Sequence, residues 1–252
     1  MKLHFKKLGT GAPLLIVHGL FGSADNWGSI AKKFSFKHTV YLIDLRNHGR
    51  SPHSSIMNYH CMAEDIFELI ADEQIKNPIL LGHSMGGKAA LEFAKKYPEI
   101  LHKLIIADIG IKSYPMHHDL IIKGLQNIDL ITVKSRGEAS KLLSVFVKEI
   151  GVQQFLLKNL YWVEKGQLGW RMNLSSIVDN IYEILKEIEI KKSNIETLFI
   201  RGEKSNYILK EDFELIANVF SNSKIETVLN AGHWLHAENP ESFFKKVDDF
   251  IS

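Results

Sequence analysis

The chain has 252 residues, 45% of them apolar, and a formal net charge of +2. That is length enough for one α/β domain or a core domain carrying an insertion, and too little charge to point to nucleic acid or an anionic membrane surface. A single cysteine, Cys61, excludes a disulfide within the chain, the first residues lack the apolar stretch of a signal peptide, and no long apolar run offers a bilayer span, so the expectation is a cytoplasmic enzyme without stable membrane insertion.

The first strand expected is Leu14-Leu15-Ile16-Val17, closed by the turn His18-Gly19-Leu20-Phe21-Gly22. Val40-Tyr41-Leu42-Ile43 follows and ends at Asp44. In the loop from Asp44 to Ser51, Asp44 and Arg46 are expected to pair and tie the loop down, with Gly49 permitting its turn. Ala63 to Gln74 reads as a helix through Ile66, Phe67, Leu69 and Ile70. Ile79-Leu80-Leu81 is the next strand, ending at Gly82, and Met85 to Tyr97 the next helix, stopped by Pro98. Leu104-Ile105-Ile106-Ala107 ends at Asp108. Residues 111–193 then show helical patterns at Glu138 to Ile150, Val152 to Leu160 and Ile177 to Ile188, and no strand. Strands resume at Leu198-Phe199-Ile200 and Lys224 to Leu229, with helices at Phe213 to Phe220 and Phe243 to Phe250.

Short strands that are apolar throughout belong to a buried parallel sheet, and their alternation with helices gives a mostly parallel, doubly wound α/β sheet. Residues 1–110 and 194–252 are the expected core domain. Residues 111–193 are the expected inserted helical cap, because so long an excursion usually builds a lid or binding element. In such sheets chemistry gathers at the carboxyl ends of the strands.

Gly82-His83-Ser84-Met85-Gly86 sits between a strand and a helix, the context that G-x-S-x-G requires. The bend is tight, so the positions two before and two after the serine must lack side chains. Ser84 is the expected nucleophile, standing at a helix N-terminus whose dipole favours negative charge. A serine at neutral pH needs a base, and the fold order of serine, acid, histidine points to His233, in Ala231-Gly232-His233-Trp234 after the last strand. His236 is expected to play a structural part, and His83 to pack or bond locally. For the acid, Asp108 ends the strand after the nucleophile's. The loop Arg201 to Tyr207, where an acid often sits, offers only Glu203, which is the alternative. The expected oxyanion donors are the backbone N–H groups of Leu20 and Met85. The twelve histidines show no metal-ligand spacing, and adjacent His117 and His118 are expected to point apart on a helical surface.

Four segments, His18–Gly22, Asp44–Ser51, Gly82–Gly87 and Gly232–Glu238, resemble the α/β-hydrolase superfamily in this order and spacing. Within it the chain is similar to the YbfF-type bacterial esterases, through Arg46-Asn47-His48-Gly49, Asp108, Ser205-Asn206-Tyr207 and Trp170 to Leu174. The resemblance implies no cofactor and no metal, and esterase activity on short to medium acyl chains with thioesterase activity toward acyl-CoA as an extension. The cap would supply the acyl pocket, with Met116, Phe146, Phe155 and Trp162 as candidates. The alternative is a C–C bond hydrolase or lyase acting on a carboxylated substrate, which would need Arg171, Arg136 or Lys123 to converge on the site. A binding module that has lost catalysis ranks below both, since every triad position is filled, and a serine at position 84 argues against haloalkane dehalogenase chemistry.

Overall fold

Strand register decides where the site forms. In the computed structural model, which describes residues 1–252, the chain begins with β1 (Phe5–Leu8) and β2 (Ala12–Val17), then α1 (Gly28–Phe34), β3 (His38–Ile43), α2 (Tyr59–Asp72), β4 (Ile79–His83), α3 (Met85–Lys96) and β5 (Lys103–Ala107). After a long excursion the sheet resumes with β8 (Thr197–Gly202), α9 (Asp212–Val219) and β9 (Ser223–Val228), and the chain closes with α10 (Leu235–Glu238) and α11 (Pro240–Ile251). The sheet has seven strands in the order β1-β3-β2-β4-β5-β8-β9. All neighbours are parallel except β1, which lies antiparallel on β3. This edge strand was not expected from the sequence. It is short and half exposed, without the apolar run that marks the inner strands.

Val17 pairs with Gly82, His83 with Ala107, and Ala107 with Ile200. The turns after β2, β4 and β5 therefore leave the sheet side by side at its carboxyl edge. Helices cover both faces. Trp27, Phe34, Phe243 and Val247 pack on one face. On the other, Ile66, Leu91 and Ile216 belong to a larger core that continues into the excursion through Leu125, Leu143 and Leu156.

The excursion holds α4 (Asp119–Gln126), α5 (Arg136–Leu143), α6 (Ile150–Leu157), α7 (Leu174–Asp179) and α8 (Ile181–Leu185). It also holds an antiparallel hairpin, β6 (Leu160–Glu164) with β7 (Gln167–Trp170), which corrects the expectation of a strand-free segment. The hairpin turns at Gly166, whose φ of 85° suits glycine. Two expected helices are also shorter than the pattern suggested. The first stops at Leu143, and the one over Ile177 to Ile188 is two helices broken at Asn180, whose side chain donates to the Ser176 and Ser55 carbonyls. Lys88, on α3 and 1% exposed, ties the two roots of the excursion together. Its Nζ donates to the carbonyls of Lys112 and Lys186, and burial brings its pKa down to about 7.

Candidate active site

The bend between β4 and α3 holds Ser84 at φ 52° and ψ −120°, a backbone strain that non-glycine residues rarely bear. The neighbourhood enforces it. The Ser84 N–H donates to Ala107 O at 3.0 Å. A Cβ on Gly82 would collide with the Gly86 carbonyl, and one on Gly86 would lie 2.6 Å from the Val17 carbonyl oxygen. The Ser84 side chain makes no capping bond to α3, so its hydroxyl is free to face the edge of the sheet.

His233 stands opposite. Its Nε2 is 3.0 Å from Ser84 Oγ, and its Nδ1 is 2.8 Å from Asp108 Oδ2. The loop carrying it is latched by Glu238, whose carboxylate accepts the N–H groups of Gly232 and Trp234 at 2.7 and 3.2 Å. Beneath, His83 Nε2 meets the His233 carbonyl at 2.9 Å, and the Tyr207 ring stacks on the imidazole at 4.0 Å between centroids.

Asp108 is fully buried and left-handed at φ 50°. Its carboxylate accepts the Gly202 N–H at 2.9 Å on Oδ1, and the Ser205 hydroxyl together with His233 on Oδ2. These contacts hold the carboxylate in one orientation. Glu203 is brought elsewhere: it is exposed and accepts the Asn230 N–H at 2.8 Å. Ser205 and Glu238 carry no weight in the sequence reading beyond their place in motifs. Ser205 lies where relatives of the fold often hold the acid, which was its only signal.

The turn after β2 brings Leu20 beside Ser84, and neither the Leu20 nor the Met85 N–H donates to a protein acceptor. The Phe21 N–H bonds His48 Nε2 at 3.2 Å, and Phe21, at φ 59°, takes the Asn159 amide on its carbonyl at 2.8 Å. His48 is neutral, its pKa lowered to about 3 by burial and then by neighbouring His18. The expected Asp44–Arg46 pair does not form. Arg46 forks onto Asp65 of α2, Nε to Oδ2 at 2.7 Å and Nη2 to Oδ1 at 2.9 Å. Asp44 instead accepts the N–H groups of Ala24 and Arg50 and faces His4 Nδ1 at 3.0 Å. Gly49 does turn left-handed, at φ 56°, directly against the Asp44 carboxylate.

A cleft of about 200 Å³ opens above Ser84, walled by Trp27, Phe155, Trp234 and His236 among others. His236 stacks flat on Trp27 at 4.0 Å and approaches Phe243 of α11, the structural placement expected of it. His117 and His118 correct the sequence reading. The chain is irregular until α4 begins at Asp119, so their rings lie 4.0 Å apart and both line the cleft. His118 Nδ1 is buried without a partner, and burial lowers the pKa of that ring to about 3. Of the four proposed acyl-pocket residues only Phe155 reaches the cleft. Trp162 is 49% exposed, Phe146 packs against Gly124, and Met116 packs on the core.

A family model described as the alpha/beta hydrolase fold matches residues 12–129. The sn-1-specific diacylglycerol lipase ABHD11 of Danio rerio is 36% identical over 256 residues, spanning 98% of this chain and 80% of that protein. The chain belongs to the α/β-hydrolase family. Esterase YbfF of Escherichia coli is 31% identical, over 96% of this chain and 93% of its own length. The solved structure of a marine microorganism esterase superposes with a TM-score of 0.96 at 41% identity, over 99% of both chains. The expected resemblance to YbfF-type esterases holds, and with it the expectation of a serine hydrolase of the carboxylesterase type. No helix is long and apolar enough to cross a membrane.

Proposed function

We propose that the protein hydrolyses carboxylic esters of small molecules through a Ser84–His233–Asp108 triad and an acyl-enzyme. The observation carrying this is the unbroken line from Ser84 Oγ through both imidazole nitrogens to Asp108 Oδ2, at 3.0 and 2.8 Å. Ser84 Oγ attacks the acyl carbon while its proton passes to His233 Nε2. The carbonyl oxygen gains negative charge against the Leu20 and Met85 N–H groups. The C–O bond to the alcohol breaks, and Nε2 returns the proton to the departing oxygen. Water, activated by the same nitrogen, then releases the acid and frees Ser84. Asp108 keeps the Nδ1 proton in place and stabilises the imidazolium. A thioester follows the same path with a thiol leaving. Residues 111–193 act as a cap over the cleft, and the lone free cysteine suits a reducing cytoplasm.

The alternative of C–C bond hydrolysis on a carboxylated substrate finds no support in the cleft wall. Arg136 bonds the Leu160 carbonyl, Arg171 lies over the Tyr161 ring, and neither lines the cleft, nor does Lys123.

The test is p-nitrophenyl butyrate hydrolysis by three variants. Ser84→Ala should lose about 10⁴- to 10⁶-fold in kcat, and Asp108→Asn about 10⁴-fold by disturbing the histidine tautomer. Glu203→Gln should stay within about 2-fold, as expected for a surface carboxylate away from the reacting atoms. A crippled Glu203→Gln beside an active Asp108→Asn overturns the acid assignment.

A further inference from the structure

Phe21 stands next to the proposed oxyanion donor Leu20, and its backbone is strained. Its φ of 59° is left-handed, a conformation that costs energy in a residue with a side chain and persists only where the surroundings impose it. Here both backbone polar groups of Phe21 are gripped by buried side chains. The N–H donates to His48 Nε2 at 3.2 Å, and the carbonyl accepts the Asn159 amide at 2.8 Å. Within the turn the Gly22 N–H closes on the Gly19 carbonyl at 2.9 Å, and the Leu20 N–H donates to no protein acceptor.

We propose that His48 and Asn159 are positioning residues for the oxyanion donor: by gripping Phe21 from both sides they hold the neighbouring Leu20 N–H toward the carbonyl oxygen of the substrate. The inference rests on the esterase reading above. A donor lowers the barrier in full only when it is fixed before the charge develops. A residue free to relax out of its strained conformation would turn the adjoining N–H away. The reacting groups and both donors stay on the sheet edge, and the two side chains act on them only through Phe21.

Each grip is itself fixed. His48 Nδ1 faces the Arg46 carbonyl at 3.0 Å. A carbonyl only accepts, so that nitrogen carries the ring's proton and Nε2 is left to accept from Phe21. The preceding residue, Asn47, is buried and reaches α7. Its carbonyl accepts the Asn173 N–H at 2.9 Å, and its amide donates to Ser176 Oγ at 3.1 Å. Asn159 follows α6. Its amide also donates to the Leu156 carbonyl at 3.1 Å, and its own carbonyl accepts the Arg171 N–H at 2.8 Å. Both grips on Phe21 therefore run back to the excursion, one directly and one through the loop from Asp44 to Ser51. The excursion supports the turn without supplying a reacting group, and His48 gains a task that its place in a motif does not reveal.

The experiment uses the intact protein, p-nitrophenyl butyrate and hexyl trifluoromethyl ketone. Ser84 Oγ adds to the ketone carbon, its proton passes to His233 and the carbonyl oxygen becomes an anion, with no group departing. The adduct thus needs the same donors as the transition state. Asn159→Ala and His48→Leu should each lower kcat by about 10- to 100-fold, the scale of a slightly misplaced catalytic group. Each should raise the inhibition constant of the ketone by a similar factor and leave KM near the wild-type value, since the interaction lost is one made to the developing anion. His48→Gln, which keeps an acceptor near the place of Nε2, should recover most of both losses. Asn180→Ala removes a different bond between the excursion and the core, to the Ser55 carbonyl, and should keep kcat and ketone affinity within about 2-fold. KM and the inhibition constant do not depend on the fraction folded, so the ketone reports even on a variant that folds poorly. Variants at Asn159 and His48 that bind the ketone as tightly as the wild type overturn the assignment. So does an equal loss in Asn180→Ala, or a loss carried by KM alone. A wild type that neither cleaves the ester nor binds the ketone overturns the esterase reading itself, a result distinct from an active enzyme indifferent to both substitutions.

Discussion

The carboxyl edge of the sheet and the excursion above it build the two halves of the site by different physics. At the edge, register does the positioning. Val17, His83 and Ala107 end neighbouring parallel strands, so the three turns that follow are side by side whatever lies above them. Backbone contacts then hold Ser84 and Asp108 in left-handed conformations. In the excursion short helices and a hairpin are arranged by long-range contacts, such as Asn159 to Phe21 and Lys88 to the two root carbonyls. In the proposed reaction chemistry is set by the rigid half and substrate shape by the other, a division common where loops ride on a scaffold.

That difference predicts how each half breaks. Gly86→Ala strikes the edge: its Cβ would press on the Val17 carbonyl with no flexible side chain to give way. It should cost about 3 kcal/mol or more, lowering Tm by roughly 6–12 °C in a chain of this size, with ester hydrolysis lost in the fraction still folded. Thermal unfolding and activity at one temperature check this. A variant of wild-type stability and activity would mean the bend is not held by the contact described.

Lys88→Met strikes the roots of the excursion and should have the smaller effect, about 1–3 kcal/mol for two buried carbonyls left without a donor. The pH dependence sharpens it. Burial lowers the Lys88 pKa from 10.5 to about 7, so between those values the unfolded chain holds the extra proton. The stability Lys88 lends is therefore greatest above pH 10.5 and lost as pH falls toward 7. Denaturant unfolding of both proteins across that window should show the wild type gaining on the variant as pH rises. A constant difference would contradict the buried, easily deprotonated amine.

The same division explains what could be read from the sequence. Ser84, His233 and Asp108 each end or follow a short apolar strand, so local pattern and chain order sufficed to bring them forward as candidates. His117 and His118 were misplaced because their relation to the cleft depends on where α4 begins, and it begins at Asp119, past both of them. Arg46 finds Asp65 rather than Asp44 because α2 folds back over the loop, a contact that spacing alone does not reveal. The hairpin had a local signal, an aromatic and β-branched run before Gly166, but the surrounding helical periodicity outweighed it. Tyr59, Ile109 and Ile184 come together near Ser84 from three distant segments, so only the folded chain assembles that wall.

The account stands most directly on the imidazole of His233 activating the hydroxyl of Ser84. Labelling with a fluorophosphonate, followed by peptide mass spectrometry, reads both at once. The native protein should carry a single adduct on the peptide containing Ser84, formed about 10³-fold or more faster than in His233→Ala. An adduct on another residue, or equally fast labelling of Ser84 without His233, would contradict it.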